Sequence, residues 1–198
     1  MQPQSPNPDF DFMLKNQPQA KHPLGLPTMN RPIKIGLAAA GAIILLIILS
    51  STLSGRGGAP TAAVTGVLAR GAEIQRVTAE VQQLNLQDPT NQALAATVTA
   101  DLSSDQTQLS KYLANNNSKV STADLAVDID KATDAQMQSA AQNNNLDATY
   151  QGYLRTALAR YETDLEKAHD AAGPNGRALM FDMLTSTNVL LTNPPLKS

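Results

Sequence analysis

Apolar positions along this chain form one unbroken run followed by several interrupted stripes. The run covers residues 35–53, IGLAAAGAIILLIILSSTL, nineteen positions without a charge. As a helix rising about 1.5 Å per residue it is long enough to cross the roughly 30 Å hydrocarbon layer of a bilayer. Ile35, Gly36, Ala40, Ile43, Leu46, Leu49 and Leu53 mark a segment that is apolar all round. A helix of that kind satisfies its own backbone groups in lipid, whereas a core helix at a protein surface carries a polar stripe. Both the run and the polar stretch before it are too long for a cleaved secretory signal, and no cysteine is present for lipid attachment. The expectation is an uncleaved, single-pass signal-anchor in the lipid bilayer. Gly36 with Ala40, and Ala38 with Ala42, recur four apart and make a face on which a second copy of the helix can pack, so homo-oligomerisation through the membrane helix is a candidate.

After a short linker at residues 54–60, SGRGGAP, the pattern changes to a period of three to four. Val64, Val67, Gly71, Ile74, Val77, Val81 and Leu84 draw one stripe along a helix over about 61–86. Asp88 before Pro89 reads as an N-cap followed by proline at the first helical position, and Leu94, Val98, Leu102, Leu109 and Leu113 continue to an Asn run at 115–117. Ser121 with Asp124 resembles a capping box that opens a shorter helix carrying Leu125, Ile129, Ala132 and Met137. From Leu146, the positions Tyr150, Leu154, Leu158, Tyr161, Leu165 and Ala168 hold the helical period until GPNG at 173–176 turns the chain. A last helix over about 177–191 points Leu179, Met183, Leu184, Thr187 and Leu190 inward. No segment alternates as a strand does. The predicted fold is all-α: the transmembrane helix, then an up-and-down bundle of four or five helices over residues 61–193, with a disordered end at 194–198.

Composition adds the placement. Residues 1–34 hold seven of the twelve prolines and lack any period, which predicts a disordered tail. Within it, Phe10, Phe12 and Met13 stand among Asp9 and Asp11, a candidate docking peptide; NPDFDFMLK also resembles the Asn-Pro-aromatic leaders of membrane proteins in reduced-genome bacteria. Lys15, Lys21, Arg31 and Lys34 precede the span, against Arg56 and Arg70 after it, so the N-terminus is expected in the cytoplasm and the bundle outside. Of the 15 basic and 17 acidic residues, four and two lie in the tail, leaving the remainder acidic and without a basic block. That argues against a nucleic-acid partner. With no cysteine, thiolate and disulfide chemistry are excluded.

The segments GYLRTALARYETDLEKAHDAAG at 152–173, ALAATVTADLSSDQTQL at 93–109 and ARGAEIQRVTAEV at 69–81 together resemble the ferritin-like four-helix domain of unknown function found in bacterial periplasmic and envelope proteins. The resemblance implies a ferritin-like bundle. Members of that family carry an Asp-His pair in the second helix and an acidic-His pair in the fourth. Here those pairs read Asp101-Leu102 and Arg160-Tyr161 before Glu162, so both histidines are missing. A ferritin-like di-metal centre needs Glu-x-x-His on two helices and Glu on two more. One such motif remains, Glu166 with His169, and Glu162 lies a turn earlier; these three are the metal candidates, with Glu73 and Glu80 on the first helix. The ordinary reading is a solvated helix face with His169 near a helix C-terminus. Asp124, Asp128, Asp130 and Asp134 lack the glycine and glutamate of a calcium loop and read as a solvated face. Tyr153 falls off the stripe of Tyr150 and Tyr161. No catalytic constellation and no cofactor are expected. The chain is read as a non-enzymatic envelope scaffold or interaction module with an envelope protein partner, the alternative being a degenerate ferritin-like metal-binding or redox protein.

Overall fold

Three helices in this chain start at side chains that accept from free backbone N–H groups, and two of them end at asparagine caps. A computed structural model describes residues 59–197. Six helices occur there: α1 (Ala59–Gln83), α2 (Pro89–Asn115), α3 (Thr122–Leu125), α4 (Lys131–Gln142), α5 (Leu146–Ala171) and α6 (Pro174–Leu191). Single 3-10 turns follow α3, at Ala126–Asp128, and α6, at Pro194–Leu196.

Asp88 caps α2 by accepting from Thr90 N–H, with proline at the first turn. Ser121 and Asp124 form the full reciprocal capping box on α3. Asn117 and Asn144 take φ of 52° and 54°, and Asn85 takes 71°. Ser118 N–H reaches back to Leu113 O while Asn117 N–H bonds Ala114 O, and Asn145 and Asn144 repeat this on Ala140 and Ala141. This is the paired end closure in which a left-handed residue satisfies the last carbonyls, and asparagine tolerates that conformation better than other non-glycine residues. The Asn runs are therefore helix stops, with a backbone job of their own.

The apolar stripes form the core. Val64, Val67, Ile74, Val77 and Val81 of α1, Leu94, Val98, Leu102, Leu109 and Leu113 of α2, and Tyr150, Leu154, Leu158, Tyr161, Leu165 and Ala168 of α5 are all buried. Met183, Thr187 and Leu190 of α6 are buried as expected, together with Met180, while Leu179 and Leu184 are half-buried.

Directions follow from cross-helix bonds. Gln75 of α1 donates to Ser103 of α2, and Arg70 of α1 to Asp164 of α5, so α1 runs antiparallel to both. Asn91 and Gln151 pair near the starts of α2 and α5, and Asp105 and Tyr161 pair further along, so these two are parallel. Between them, residues 116–145 return along the outside of α1: Ser118 meets Thr61, Asp134 meets Arg76 and Gln138 meets Glu80. With α4 counted, the helices alternate in direction as expected, while among the four long helices α2 and α5 run the same way and the crossover joins them.

Four boundaries differ from the periodic reading. Ala59 and Pro60 belong to α1 rather than to a linker, since proline is tolerated at a helix start. The short helix breaks in two because Ile129 turns extended (ψ 117°) and Asp130 caps α4, leaving Ile129 46% exposed. GPNG forms the first turn of α6, with Gly173 outside the helix and Pro174 at its first position. Past residue 193 the chain forms a 3-10 turn at Pro194–Leu196, where Arg155 Nε donates to Leu196 O at 2.8 Å and Leu196 is buried.

No helix among the described residues is long and apolar enough to cross a membrane. Ile35, Gly36, Ala40, Ile43, Leu46, Leu49 and Leu53, like Phe10, Phe12 and Met13, lie outside the described residues.

Candidate functional site

Along the outer face of α1, charge alternates in the order Arg70, Glu73, Arg76, Glu80 at helical spacing. The crossover presents a matching order. Arg70 Nη1 lies 3.6 Å from Asp128, and its Nε donates to Asp164 of α5 at 2.9 Å. Glu73, only 8% exposed, accepts from Arg76 at 2.6 and 2.8 Å and from Asp130 N–H at 3.2 Å. Arg76 reaches Asp134 at 2.5 Å, and Glu80 accepts from Gln138 at 3.2 Å. The acidic run read as a solvated face thus divides into separate tasks. Asp124 and Asp130 cap helices, and the bonds they accept hold both carboxyls below the usual range; Asp128 and Asp134 pair with arginines on α1.

This seam leaves clefts on both sides of the Arg70–Asp128 pair. One of about 560 Å³ is lined by Ala62, Ala69, Lys119, Val127 and Lys167, with Val127 78% exposed at its rim. The other, about 500 Å³, lies between α1, α4 and α5 and is lined by Tyr153, Thr149, Thr133 and Arg160. Tyr153 departs from the buried stripe by lining this second cleft, half-buried, and burial followed by the nearby Glu73 charge pushes its hydroxyl pKa up. The walls are charged, small and weakly apolar, which suits a polypeptide side chain or loop better than an enclosed small molecule.

A second polar cluster sits inside the bundle. Tyr161 OH donates to Asp105 at 2.9 Å, and burial raises the Asp105 carboxyl to about 6, with the Tyr161 bond opposing that rise and Asp101 adding to it. The ring of Tyr161 packs on the backbone of α1 at Gly71, where an added Cβ would lie 3.4 Å from the ring and 3.9 Å from the Gln106 amide. Gln106 is 3% exposed, and its side-chain nitrogen and oxygen find no partner among the described residues. At the far end, Asp147 ties the α1–α2 turn to α5. Partial burial works against its ionisation, but bonds from Asn91 and from the N–H groups of Gln87 and Asp88 hold its carboxyl below the usual value.

The metal candidates are dispersed. Glu162 accepts from Asn188 of α6 at 3.4 Å, Glu166 faces solvent, and His169 Nδ1 lies 3.2 Å from Asp170. Glu73 and Glu80 of α1 are both engaged by Arg76. Among the described residues no three His, Asp or Glu side chains come together to hold a metal ion. Arg76 escaped the sequence reading, Arg70 entered it only as a charge after the apolar run, and Asp128 and Asp134 were read as a solvated face, although the alternating charges on α1 were a legible signal for a polar seam. Asp105 and Gln106 carried none, because a single polar residue inside an apolar stripe does not reveal its burial. Compared with known proteins, the chain matches no family model, no curated protein and no solved structure.

Proposed function

We propose that this chain is a membrane-anchored, single-pass protein of the bacterial cell envelope, with its N-terminus in the cytoplasm and the helical bundle outside, where the bundle serves as a non-enzymatic scaffold or interaction module. The observation that carries the interaction role is the cleft beside Arg70, whose rim holds the exposed Val127 and whose walls hold Lys119, Lys167 and Asp164. Isolated apolar residues are ordinary on a surface, but an apolar residue bordering a charged cleft offers both contact area and orientation to a partner. The partner is an envelope protein. The ferritin-like relationship is part of the same proposal, and the crossover between α2 and α5 supports it, because one long crossover is the connectivity of ferritin-like bundles. The metal-binding alternative has no comparable support, as Glu162 meets Asn188, His169 meets Asp170 and Glu166 is exposed.

The test places a photoreactive side chain at position 127 of the full chain in native membranes, with position 107 on the exposed side of α2 as control. A discrete cross-linked species from 127 and none from 107 is the expected result. Equal, diffuse labelling from both positions would remove the cleft as a docking site. Protease added to intact cells is expected to digest the bundle and spare residues 1–34, and the reverse pattern would overturn the orientation.

A further inference from the structure

Among the described residues, two of the large apolar side chains left exposed belong to α6: Phe181 at 63% and Val189 at 65%. The helix carries only two charges in its 18 residues, Arg177 and Asp182, whereas the exposed side of the neighbouring α5 carries Arg160, Glu166, Lys167 and Asp170. The solvated side of an amphipathic helix is ordinarily charged, so the outer face of α6 departs from that pattern.

Its exposed positions have an order. Ala178, Phe181, Thr185 and Asn188 follow one another at spacings of three, four and three, the rhythm by which one helix packs along another. Arg177 and Leu184 flank this strip on one side, Asp182 and Val189 on the other. When two such helices lie side by side in the same direction, a residue on the first flank meets the residue five places later on the partner's second flank. In α6 those pairs are Arg177 with Asp182 and Leu184 with Val189: opposite charges in one, two aliphatic side chains in the other. Laid antiparallel, like flanks would meet and the two charges would not pair. Within its own chain Arg177 spends its Nε on Ala172 O at 3.0 Å, and neither Arg177 nor Asp182 has an ion-pair partner among the described residues. Leu184 is half-buried at the edge of the core.

We propose that the outer face of α6 is a contact surface for α6 of a second copy of this chain, the two helices running parallel. The direction agrees with the anchor reading above and to that extent rests on it. Asn188 meets Glu162 and Leu196 O meets Arg155, so α6 runs antiparallel to α5 and starts at the end of the bundle where α1 starts. α1 has 25 residues, a length of about 37 Å. Ala59 opens it six peptide steps after Leu53, at most about 20 Å of chain. If the apolar run spans the bilayer and the bundle stands on it, an antiparallel pair would lift one copy's α1 start beyond the reach of its tether. A parallel pair sets both starts at the membrane. The strip covers about 15 Å of helix, too little for the roughly 800 Å² per partner of a stable complex. The contact is therefore weak between free chains and strengthened by the high local concentration of chains held in one membrane.

The sequence contains no cysteine, so a single introduced cysteine reports on one position. The experiment uses the full chain in phosphatidylcholine vesicles, where flotation reads the anchor and disulfide formation under copper phenanthroline reads the contact. Ala178→Cys, Thr185→Cys and Asn188→Cys are each expected to give disulfide-linked dimers, because in a parallel pair every strip residue faces its own copy. Ser186→Cys, exposed on α6 but off the strip, and Thr107→Cys, exposed on α2, are expected to stay monomeric. Equal linking at 185, 186 and 107 would reduce the contact to proximity brought by the membrane helix, and linking at only one of 178 and 188 would show an antiparallel pair; either result overturns the proposal. Arg177→Glu or Asp182→Arg, added to the Thr185→Cys chain and checked for unchanged helicity, sets like charges together twice per dimer and is expected to lower linking about tenfold. Mixing these two variants, or combining both changes in one chain, restores opposite charges and is expected to recover it. No recovery would refute the Arg177–Asp182 register, and no linking at 185 would refute the contact whether or not the chain floats. A chain that links as expected without floating upholds the contact and removes the anchor.

Discussion

The four long helices and the crossover that wraps them are held by different forces. In α1, α2, α5 and α6, buried Leu, Val, Ile, Met and Tyr side chains recur at helical spacing and share one core. In the crossover, neither α3 nor the 3-10 turn after it buries a residue, and α4 contributes only Met137 and Ala140. What fastens it is a seam of ion pairs and backbone-directed hydrogen bonds to Arg70, Glu73, Arg76 and Glu80. Apolar burial is non-directional and large, while partly exposed ion pairs are worth on the order of 1 kcal/mol each and weaken with salt. The bundle should accordingly unfold as one unit, and the crossover should open on its own at lower free energy.

The largest break in this comparison is a cavity in the core. Leu158→Ala, at a position with no exposure, is expected to lower stability by about 2–5 kcal/mol, read as a lower urea midpoint with an unchanged slope. Next is a polar exception inside the core. The Asp105 carboxyl is raised to about 6 in the fold, above an ordinary unfolded value near 4, so the folded state holds its proton over that interval. Its contribution is fully present below pH 4 and is lost as pH rises through 6, by about 3 kcal/mol. Asp105→Asn is expected to flatten that part of the stability curve; an equally steep curve in the variant would show that another group is responsible.

The seam is predicted to respond differently. Arg76→Ala strands Glu73, which is 8% exposed, and releases Asp134, so amide exchange is expected to rise about tenfold over residues 128–138 while α2 and α5 stay protected. Uniform acceleration throughout the bundle would mean that crossover and core are one cooperative unit. The smallest effect tests the orphaned amide. Gln106→Met preserves shape and removes two unpaired polar atoms, so a gain of about 1 kcal/mol is expected; a loss would show that the amide is satisfied by water.

Much of the bundle was legible because helix stripes are local: residues three and four apart share a face whatever the rest of the chain does. The stripes from Val64 to Val81 and from Tyr150 to Ala168 are buried where the pattern placed them, and the caps at Asp88 and Ser121 form as their side chains imply. The break at Ile129 was not legible. Its apolar side chain continues the helical period, but Asp130 offers the backbone a competing cap, and the pairing of Asp128 and Asp134 with α1 favours the broken form. The site was less legible still. Glu162, Glu166 and His169 share a helix and looked like partial ligands, yet ligation needs convergence from several helices, which spacing along one helix cannot supply.

By itself the sequence determined the four long helices, the caps at Asp88 and Ser121, and the face each long helix turns inward, because these depend on contacts within a turn or two. Only the tertiary structure decided that α2 and α5 run parallel, that residues 116–145 lie along α1, and that Asp105 and Gln106 are enclosed while Tyr153 lines a cleft. Those outcomes depend on pairs such as Arg70 with Asp164 and Asp105 with Tyr161, dozens of residues apart, whose energies exist only once the helices have met.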